Sequence, residues 1–491
     1  MLLSQLLGPE IAAPDSSRRL FITGISADSR TVAPGFVFVA MPGARTDGGR
    51  FIAEAVARGA VAVVARPEAE VPAGLNAVLL KVPNPRRALA LMASRFYPAQ
   101  PDVVAAVTGT SGKTSVAEFT RQIFAANGRH AASLGTIGVV KPGGAVYGSL
   151  TTPDPVSLHQ TIDELAREGV THLAFEASSH GLDQHRLDGV RLTAGAFTNL
   201  GRDHMDYHAT VEDYLDAKLR LFRDLLHPGQ PAVVNMDGAY ADEVADVVRA
   251  RGLELIAVGT RGSALRLEGV TRDGFGQQLS VRIARGATGV RLPLVGAYQV
   301  ENALVAAGLA IAAGIAAEDA LAAVETLTGV PGRLDIVGES RGGLVVVDYA
   351  HKPEALAAAL AGVRPFVTGR LICVFGCGGD RDRGKRPLMG AIAVDKSDVV
   401  IVTDDNPRSE VPAAIRAEIL AGARLPGRTE PREIGDRAEA IATAVAMAGP
   451  GDVVLIAGKG HETGQIVGDK VLAFSDHDVA RAAIAKGATH G

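Results

Sequence analysis

A short glycine-containing segment is the part of the sequence best suited to bind a phosphate. It reads GTSGKT, from Gly109 to Thr114, and lies between the apolar run DVVAAV and a stretch with helical periodicity. Free backbone N–H groups and the helix dipole favour an anion at such a turn. Lys113 is expected to meet the outer phosphates of a nucleotide, and the Thr114 hydroxyl a magnesium ion. The alternative is an ordinary glycine turn, because Val107 occupies the position where the usual G-x4-GK[ST] motif has its first glycine.

Carboxylate and imidazole side chains follow two further apolar runs. Glu176 ends the run THLAFE, and His204, Asp206 and His208 lie in TNLGRDHMDYH. Near a triphosphate, such groups can hold metal ions that neutralise the charge developing during phosphoryl transfer. A single histidine is more often a structural hydrogen-bonding residue. The placement of these residues on two strands of one nucleotide-binding unit favours metal binding.

Lys218 lies in the segment DYLDAKLRLF. In this segment Tyr214, Leu215, Leu219 and Phe222 recur at helical spacing. The residue pattern alone therefore predicts a solvated lysine of an amphipathic helix, with no chemical role.

A second group of charged residues lies in the last quarter of the chain. The turn DNPR, from Asp405 to Arg408, follows the apolar run DVVIVT. An arginine held by a proline-stiffened turn suits a bidentate pair with a ligand carboxylate. Arg386 in GKRPLM and Glu462 in GKGHE are further candidates, since an amino acid carries both charges and needs partners of both signs. The alternative is a surface loop with exposed charges.

The order of apolar runs and helical stretches along the chain predicts an α/β protein with three domains. Its 491 residues exceed the roughly 250 to 300 at which one hydrophobic core stops growing. Residues 1–98 suggest a small α/β domain, which two prolines after Tyr97 close. Residues 99–331 alternate apolar runs with helices, which favours a mostly parallel sheet covered on both faces. In residues 332–491, four apolar runs end in polar or glycine-rich residues, where ligands of open α/β sheets collect.

Composition limits the classes of partner. The 50 basic and 54 acidic residues give a formal net charge of −4, so bulk charge predicts no nucleic-acid or anionic-membrane partner. Cys373 and Cys377 are too few for a disulfide framework or, without further ligands, a structural zinc site. The first residues lack the basic and apolar regions of a signal peptide. The longest apolar run, Ala303 to Ala317, is too short to span a membrane and predicts a buried helix.

The chain closely resembles the Mur ligases in a set of motifs that is highly specific in this order. These are GTSGKTS, LTTPDP, FEASSHGLDQHR, TNLGRDHMDYH, DAKLRLF, DYAHKPEAL, GCGGDRDRGKRPLM, DNPRSE and AGKGHET. The resemblance spans all three expected domains. It implies a UDP-binding N-terminal domain, a central P-loop-type ATPase and a C-terminal Rossmann-like domain that receives an amino acid.

The resemblance also implies an activity, an ATP-dependent amide ligase that works through an acyl phosphate. DNPR resembles the members that add meso-diaminopimelate to UDP-N-acetylmuramoyl-L-alanyl-D-glutamate, because Arg408 can bind the distal carboxylate that lysine lacks. Mg²⁺ is the implied cofactor and ATP the co-substrate. The implied setting is peptidoglycan precursor synthesis in the cytoplasm, and hence cell shape and division. A monomer with no nucleic-acid partner and no membrane insertion is expected.

The resemblance assigns roles residue by residue. The catalytic residues are Lys113, Lys218, His204 and Glu176. The ATP contacts are Gly109, Thr110, Ser111, Gly112, Lys113, Thr114, Asn302 and Arg333. The magnesium ligands are Thr114, Glu176, His204 and Lys218 as a carbamate. The contacts to the UDP-sugar dipeptide are Ser29, Thr151, Thr152, Ser178, Gln184 and Arg186. The diaminopimelate contacts are Arg386, Asp405, Asn406, Pro407, Arg408, Gly458 and Glu462. Asp348 and His351 belong to the C-terminal domain that closes the site.

Three alternatives remain open. A lysine-adding Mur ligase would lack an arginine at position 408, and a noncatalytic scaffold would bind ATP without releasing ADP. A dinucleotide-dependent oxidoreductase would need a G-x-G-x-x-G fingerprint, which is not evident. Two residues depart from the family pattern: Ser111, where asparagine is common, and Lys352, where threonine is usual.

Overall fold

The computed structural model describes most of the chain, in five stretches. They are residues 1–43, 47–70, 74–146, 151–201 and 203–488. Leu150 of the LTTPDP motif and Arg202 of TNLGRDHMDYH therefore lie outside the described residues. The chain divides into two compact units: unit 1 comprises Met1–Ala264 and Val305–Ala320, and unit 2 comprises Leu265–Leu304 and Leu321–Gly491.

The first sheet of unit 1, as far as the structure describes it, has four parallel strands in chain order. They are β1 (Gly24–Ser26), β2 (Phe36–Val39), β3 (Ala62–Ala65) and β4 (Val78–Lys81). The helices are α1 (Leu3–Leu7), α2 (Ile52–Ala57) and α3 (Pro85–Phe96). Strands β2, β3 and β4 lie in the apolar runs FVFVAM, AVAVVA and AVLLKV, and α2 begins at Ile52, so this part of the chain has the expected α/β character. The expected break after Tyr97 falls between α3 and the next strand.

The second sheet of unit 1 carries the phosphate-binding segment. Its strands are β5 (Val103–Thr108), β6 (Ala131–Gly135), β7 (Gly138–Lys141), β8 (Gly144–Val146), β9 (His172–Glu176), β10 (Ala194–Phe197), β11 (Pro231–Asn235) and β12 (Glu254–Gly259). In unit 1 they lie in the order β12-β11-β10-β5-β9-β6-β7-β8, parallel except for β7 and β8. The helices are α4 (Lys113–Ala126), α5 (Pro155–Arg167), α6 (Ser179–Asp183), α7 (Val211–Arg220) and α8 (Ala241–Ala250). The central strands are apolar without alternation because both of their faces are buried.

Unit 2 contains a meander, a mixed sheet and a hairpin. The antiparallel meander consists of β13 (Leu265–Asp273), β14 (Gly276–Ile283) and β15 (Gly286–Leu292). The mixed sheet consists of β16 (Asp335–Ser340), β17 (Gly343–Asp348), β18 (Leu371–Phe375), β19 (Val399–Val402), β20 (Arg432–Glu433) and β21 (Val453–Ala457). Its order is β16-β17-β21-β18-β19-β20, and only the β16–β17 pair is antiparallel among the described residues. The hairpin is β22 (Gly464–Val467) and β23 (Lys470–Ala473).

Seven α-helices follow in the described part of the chain after residue 296. They are α9 (Ala297–Ala312), α10 (Ala317–Val324), α11 (Pro353–Val363), α12 (Lys385–Lys396), α13 (Pro412–Gly422), α14 (Arg437–Met447) and α15 (Asp476–Ala488). The apolar run Ala303 to Ala317 forms a largely buried helix, as predicted, as far as Ala312, where α9 ends. The run is divided because Gly314 adopts a left-handed conformation (φ 89°) and ends the first helix. No helix among the described residues is both long and apolar enough to cross a membrane.

In both units, candidate site residues lie at the carboxyl ends of parallel strands. The phosphate-binding segment follows β5 and Glu176 ends β9, whereas the DNPR turn follows β19 and Gly458 follows β21. This is the edge at which open α/β sheets bind ligands. Each sheet therefore positions one set of candidate site residues.

Candidate active site

The phosphate-binding segment, which we call the phosphate loop (Gly109–Thr114), is held against the end of strand β10. The Thr110 N–H donates to the Asn199 carbonyl (2.9 Å), and the Ser111 N–H donates to Asn199 Oδ1 (3.0 Å). Gly109 has a φ of 148°, and a Cβ at this position would clash with Thr198 Oγ1. Glycine is therefore required where the loop passes closest to β10.

Two lysines converge on one carbonyl of the phosphate loop. Lys113 Nζ and Lys218 Nζ donate to the Gly109 carbonyl at 2.9 and 2.8 Å. The Lys218 side chain is only 1% exposed, and its Nζ lies 4.2 Å from the centroid of the Tyr214 ring. Burial, and then the charge of Lys113, hold the pKa of Lys218 well below its usual value. The prediction of a solvated helix lysine is wrong; Lys218 is a buried amine in a position that favours its neutral form.

Glu176 lies beside the phosphate loop at the end of β9. Its backbone is in register with Val107, two residues before the loop. Its buried carboxylate accepts a hydrogen bond from the Thr136 N–H (2.7 Å) and one from the Thr136 hydroxyl (3.3 Å). A side chain at Gly135 would clash with this carboxylate. The carboxylate is thus fixed by its neighbours before any ligand binds.

An aromatic cluster of His180, His204, Tyr207, His208 and Tyr214 surrounds this region. The ring centroid of His180 lies 4.8 Å from that of His204 and 4.0 Å from that of Tyr207. The ring centroids of His208 and Tyr214 are 5.1 Å apart. Burial is the main cause that lowers the pKa values of His180 and His208. The buried Nε2 of His208 has no hydrogen-bond partner among the described residues. The imidazoles of His180 and His208 are kept neutral, the form that can accept a proton or bind a metal.

Four of the residues expected to contact the UDP-sugar dipeptide form one hydrogen-bonded group. The Thr152 hydroxyl donates to the Glu176 carbonyl (2.9 Å) and accepts from the Ser178 N–H (3.1 Å). Arg186 donates to the Thr152 carbonyl (2.5 Å) and to Gln184 Oε1 (2.8 Å). The structure therefore brings Thr152, Ser178, Gln184 and Arg186 together at the end of β9.

The other two expected contacts, Thr151 and Ser29, have different hydrogen-bond partners. The Thr151 and Thr136 hydroxyls are 3.0 Å apart, which joins Thr151 to the surroundings of Glu176. Ser29 lies after β1 in the 3₁₀ helix Ser29–Thr31, and its hydroxyl donates to Glu54 Oε2 (2.9 Å). Ser29 thus lies after a strand of the first sheet, whereas Thr151 lies close to Glu176, which ends a strand of the second.

In unit 2, Asn406 and Glu462 are joined through Lys459. The amide of Asn406 donates to Glu462 Oε2 (2.9 Å) and accepts from Lys459 Nζ (3.0 Å). Lys459 Nζ also lies 3.1 Å from Glu462 Oε2, although the lysine side chain is 0% exposed. The Asn406 carbonyl oxygen Oδ1 further accepts from the Ile466 N–H (2.9 Å). The DNPR turn is therefore locked to the GKGHE segment.

Arg408 is held in a left-handed conformation with φ of 51°. Its N–H donates to the Ile466 carbonyl (3.0 Å), and its own carbonyl accepts from the Gly468 N–H (2.8 Å). The Nη1 atom donates to the Gly379 carbonyl at 2.9 Å. Within the described stretches, Nε and Nη2 make no hydrogen bond. A guanidinium carries five N–H donors, so a planar fork remains for a ligand carboxylate.

Arg386 is held differently, by two carboxylates. Its fully buried guanidinium donates to Glu410 Oε1 and to Glu418 Oε2, both at 2.8 Å. The bond to Arg386 is the main cause that lowers the pKa of Glu410 to about 2. Direct contact between Arg386 and an amino acid stays a prediction, since the structure shows the guanidinium engaged with these two glutamates.

Asp405 and Gly458 lie against each other. Gly458 has a φ of 120°, and a Cβ there would lie 2.5 Å from Asp405 Oδ2. Burial raises the pKa of Asp405, while the charges of Arg437 and Lys459 oppose that rise. The carbonyl of Pro407, in the same turn as Asp405, accepts from the Glu410 N–H (3.1 Å). A glycine is required at 458 for the two strand ends to approach.

Asn302 and Arg333 are linked through Gln299. The Asn302 amide donates to Gln299 Oε1, and Gln299 donates to the Arg333 carbonyl, both at 2.9 Å. The Arg333 guanidinium lies 5.2 Å from the centroid of the Tyr349 ring. Gln299 lies outside the recognised motifs, and Tyr349 was not predicted as a site residue although it lies in DYAHKPEAL.

Asp348 is the last residue of β17, and His351 lies three residues further along the chain. Burial raises the pKa of Asp348 to about 6, although the charge of Arg333 and the N–H groups of Leu334 and Ala350, each at 2.8 Å, oppose it. Burial also lowers the pKa of His351 to about 4. His351 is therefore neutral near pH 7, whereas Asp348 is mostly ionised.

Three family models match successive parts of the chain. They describe the Mur ligase family catalytic domain at residues 21–97, the Mur ligase middle domain at residues 107–310 and the Mur ligase glutamate ligase domain at residues 332–460. This chain belongs to the Mur ligase family.

Relatives match this Mur ligase over nearly its whole length. The UDP-N-acetylmuramoyl-L-alanyl-D-glutamate–2,6-diaminopimelate ligase of Bradyrhizobium diazoefficiens is 58% identical over 489 residues, 99% of each chain. The enzyme of the same name from Brucella melitensis is 56% identical over 474 residues, 96% of each chain. A solved structure bearing this name superposes with a TM-score of 0.74 at 33% identity and covers 100% of both chains. The family plan of mostly parallel α/β sheets is thus the plan of this chain.

The residues around the phosphate loop fit a magnesium ion that arrives with a nucleotide. The described residues contain no group of three or more His, Cys, Asp or Glu side chains that could hold a metal alone. Mg²⁺ usually keeps several waters and takes one or two carboxylates together with substrate phosphates. Glu176 supplies a buried carboxylate, Thr114 a buried hydroxyl and Lys218 an amine. His204 Nε2 lies 3.6 Å from Asp203 Oδ2 and completes the expected donor types.

Sequence patterns signal some of these residues and miss others. The phosphate loop and the DNPR turn follow predicted strands, and the structure places both at strand ends. His180 lay inside a recognised motif, but no spacing rule set it beside His204. Glu418 and Gln299 carry no signal, and Glu410 lies in DNPRSE but was given no role, because the contacts of all three form only when segments distant in the sequence come together.

Proposed function

We propose that this Mur ligase uses ATP to join meso-diaminopimelate to UDP-N-acetylmuramoyl-L-alanyl-D-glutamate. The observation that carries the proposal is the 58% identity, over 99% of both chains, to a relative with that activity in its name. The phosphate loop and the DNPR turn supply the two kinds of group that the reaction needs. One binds phosphates, and the other offers charges of both signs to an amino acid.

The proposed division of labour follows three domains. Residues 1–98 bind the UDP group, with Ser29 as a contact. Residues 99–331 bind ATP and the dipeptide, and residues 332–491 bind the incoming amino acid. The order of the three family models along the chain supports this division.

The first chemical step activates the D-glutamate side chain. One oxygen of its carboxylate attacks the γ-phosphorus of ATP, the bond between that phosphorus and the β–γ bridging oxygen breaks, and ADP leaves. The product is an acyl phosphate. The loop N–H groups that follow Ser111, together with the Lys113 side chain, stabilise the charge on the phosphate oxygens in this step. The hydrogen bonds from the loop to Asn199 support the role, because they fix the loop in advance.

The second step forms the amide. The amine attacks the acyl carbonyl carbon, and the tetrahedral intermediate expels phosphate together with the oxygen that bridged carbon and phosphorus. The nitrogen loses a proton. His180 and His208, which burial keeps neutral, are suited to accept that proton directly or through water.

Lys218 is proposed to act as a carbamate. A neutral lysine amine adds to CO₂ and loses a proton, which converts a cation into an oxygen ligand. The low pKa and burial of Lys218 support this reaction. Glu176, Thr114, His204 and the carbamate would hold Mg²⁺, which supplies charge neutralisation at the phosphates when bound.

The amino-acid pocket is proposed to read both ends of diaminopimelate. Arg408 pairs with the distal carboxylate through its open Nε and Nη2 side. Asp405, Asn406 and Glu462 face an ammonium group, and Gly458 allows the ligand to approach the strand end. Arg386 and Pro407 shape this pocket, Arg386 through its bonds to Glu410 and Glu418.

The proposed setting is peptidoglycan precursor synthesis, and hence cell shape and division. ATP and UDP-linked sugars are made in the cytoplasm, which places the reaction there. We propose that the enzyme works as a monomer, because each expected contact has a residue of this chain assigned to it.

The function is tested by phosphate release with ATP, Mg²⁺ and UDP-N-acetylmuramoyl-dipeptide, with the product identified by mass. Turnover with meso-diaminopimelate and little with L-lysine is expected. A preference for L-lysine would overturn the interpretation of Arg408 and favour the lysine-adding alternative. ATP binding without turnover on either amine would favour the noncatalytic scaffold.

A further inference from the structure

Arg437 and Asp476 form a fully buried ion pair that no part of the proposed reaction uses. Both side chains are 0% exposed. The guanidinium donates through Nε and Nη2 to the two carboxylate oxygens, each at 2.7 Å. Arg437 is the first residue of α14 and Asp476 the first residue of α15, so the pair ties two helix starts together.

The same guanidinium reaches the ends of two strands. Its Nη2 donates to the carbonyl of Ala457, the last residue of β21, at 3.0 Å. Its Nη1 donates to the carbonyl of Asp404, which follows β19, at 3.4 Å. Gly458 comes next after Ala457, and Asp405 comes next after Asp404. Arg437 is thus one hydrogen bond away from both segments of the amino-acid pocket.

The segments that contain Gly458 and Asp405 are packed so closely that a side chain at position 458 would clash. A Cβ at Gly458 would lie 2.5 Å from Asp405 Oδ2 and 3.8 Å from Arg437 Nη2. The charge of Arg437 also opposes the rise in the pKa of Asp405 that burial causes. A small displacement of either strand end would therefore alter both the shape and the charge of the pocket.

We propose that Arg437, fixed by Asp476, is a positioning residue that sets the two strand ends of the amino-acid pocket at the separation that diaminopimelate requires. It acts through Asp405 and Gly458 and does not touch the ligand. The inference rests on the proposed function. Burying an arginine and an aspartate is costly unless both are paired, and the two further bonds to strand-end carbonyls explain what the pair does.

The control is a second arginine–aspartate pair, at the amino ends of the strands of the same sheet, in which the arginine side chain is 48% exposed. Arg370 precedes β18 and Asp452 precedes β21. Their side chains meet at 2.7 Å, and the Arg370 N–H donates to Asp452 Oδ1 (2.6 Å). This pair ties the amino ends of the strands, far along them from the pocket segments. Arg370→Lys repeats the chemical change without touching the carboxyl ends.

The experiment compares the full-length wild type, Arg437→Lys and Arg370→Lys. Apparent KM values for meso-diaminopimelate and for ATP, and kcat, are measured at a temperature at which circular dichroism shows each protein folded. Arg437→Lys keeps the charge but cannot span Asp476 and both carbonyls. We expect its KM for diaminopimelate to rise about tenfold, the scale of one charged hydrogen bond. Its KM for ATP, and both KM values of Arg370→Lys, are expected to stay within about twofold of wild type.

Other outcomes overturn the inference. An unchanged KM for diaminopimelate in folded Arg437→Lys, or equal rises in both KM values, would show that the pair is only structural. If Arg437→Lys does not fold, Asp476→Asn decides in the same way, because it keeps the side-chain shape and removes the charge that fixes Arg437. The wild type serves as the test of the proposed function: if it does not turn over diaminopimelate, the function itself fails, and the inference with it.

Discussion

The lysine amino groups beside the phosphate loop and the cations beside the DNPR turn are held in opposite ways. Lys113 and Lys218 donate to one backbone carbonyl, that of Gly109. Lys459 and Arg386 are instead bound by carboxylates, those of Glu462, Glu410 and Glu418. A carbonyl orients a cation but does not cancel its charge, whereas a carboxylate does both. The first arrangement suits a polyanion, and the second suits a zwitterion that needs balanced charges.

The pKa shifts of the two regions show the same contrast. Lys218, buried beside a second lysine, is pushed towards its neutral form. Glu410, bound by Arg386, is held in its charged form by a pKa of about 2. The chemistry proposed for each region follows: a reactive amine beside the phosphates, and fixed charges around the amino acid.

Lys218→Ala is expected to have the largest effect. It removes the amine that the carbamate requires, so kcat should fall by on the order of 10² to 10³, the scale for losing one preorganised charge-stabilising group. Added bicarbonate should not restore activity, as measured by steady-state ADP release. Lys218→Arg is the control, because it keeps a cation but cannot form the carbamate. Full activity of either variant would contradict the role proposed for this lysine.

Arg408→Ala tests the other side of the comparison. It should raise the KM for meso-diaminopimelate by roughly 10- to 100-fold, since a charged hydrogen bond is worth about 1.5 to 3 kcal/mol. The KM for ATP should change little, because the phosphate loop does not depend on this residue. Initial rates at varied concentrations of each substrate measure both values. Equal rises in the two would mean that Arg408 acts by supporting the fold.

Asp348→Asn tests whether the pKa of the buried Asp348 carboxyl, in unit 2, is raised. The pKa of Asp348 is raised from 3.8 to about 6, so the folded state binds its proton more tightly than the unfolded state. Its stabilising contribution is complete below about pH 4 and is lost as the pH rises through about 6. The unfolding temperature of the variant, relative to wild type, should therefore increase between these pH values and then level off. A constant difference across this range would show that Asp348 does not titrate there.

Ser111→Asn should have the smallest effect. The contacts of Ser111 with Asn199 and Thr198 are made by its backbone N–H and carbonyl, so a different side chain leaves the phosphate loop in place. We expect kcat and the KM for ATP to stay within about twofold of wild type. A larger change would show that the Ser111 side chain itself takes part in nucleotide binding.

Features of the fold that depend on neighbouring residues in the sequence could be predicted, whereas those that depend on contacts between distant residues could not. The phosphate loop, the DNPR turn and the parallel strands were predicted because each has a local pattern. Strands β13 to β15 were missed because they are largely exposed on one face and carry many polar residues. The apolar run after Asn302 gave no sign that Gly314 would divide it.

The candidate site shows the same limit. Lys218 has the pattern of a surface helix, and only tertiary packing buries it against Gly109 and Tyr214. Arg386 was predicted as a ligand contact, but its partners Glu410 and Glu418 lie 24 and 32 residues away in the chain. No local rule predicts pairings over such separations. The assigned ligand contacts themselves stay predictions.

The most direct test of the central claim, that one region activates a carboxylate and the other selects the amine, uses an oxygen label. The dipeptide substrate carries ¹⁸O in the D-glutamate side-chain carboxylate, and the phosphate released during turnover is analysed by mass spectrometry. One ¹⁸O per phosphate is expected for wild type and, at lower rate, for Arg408→Ala, because only amine selection is impaired in the variant. Unlabelled phosphate formed together with the amide product would contradict the acyl phosphate and, with it, the division of labour between the two regions.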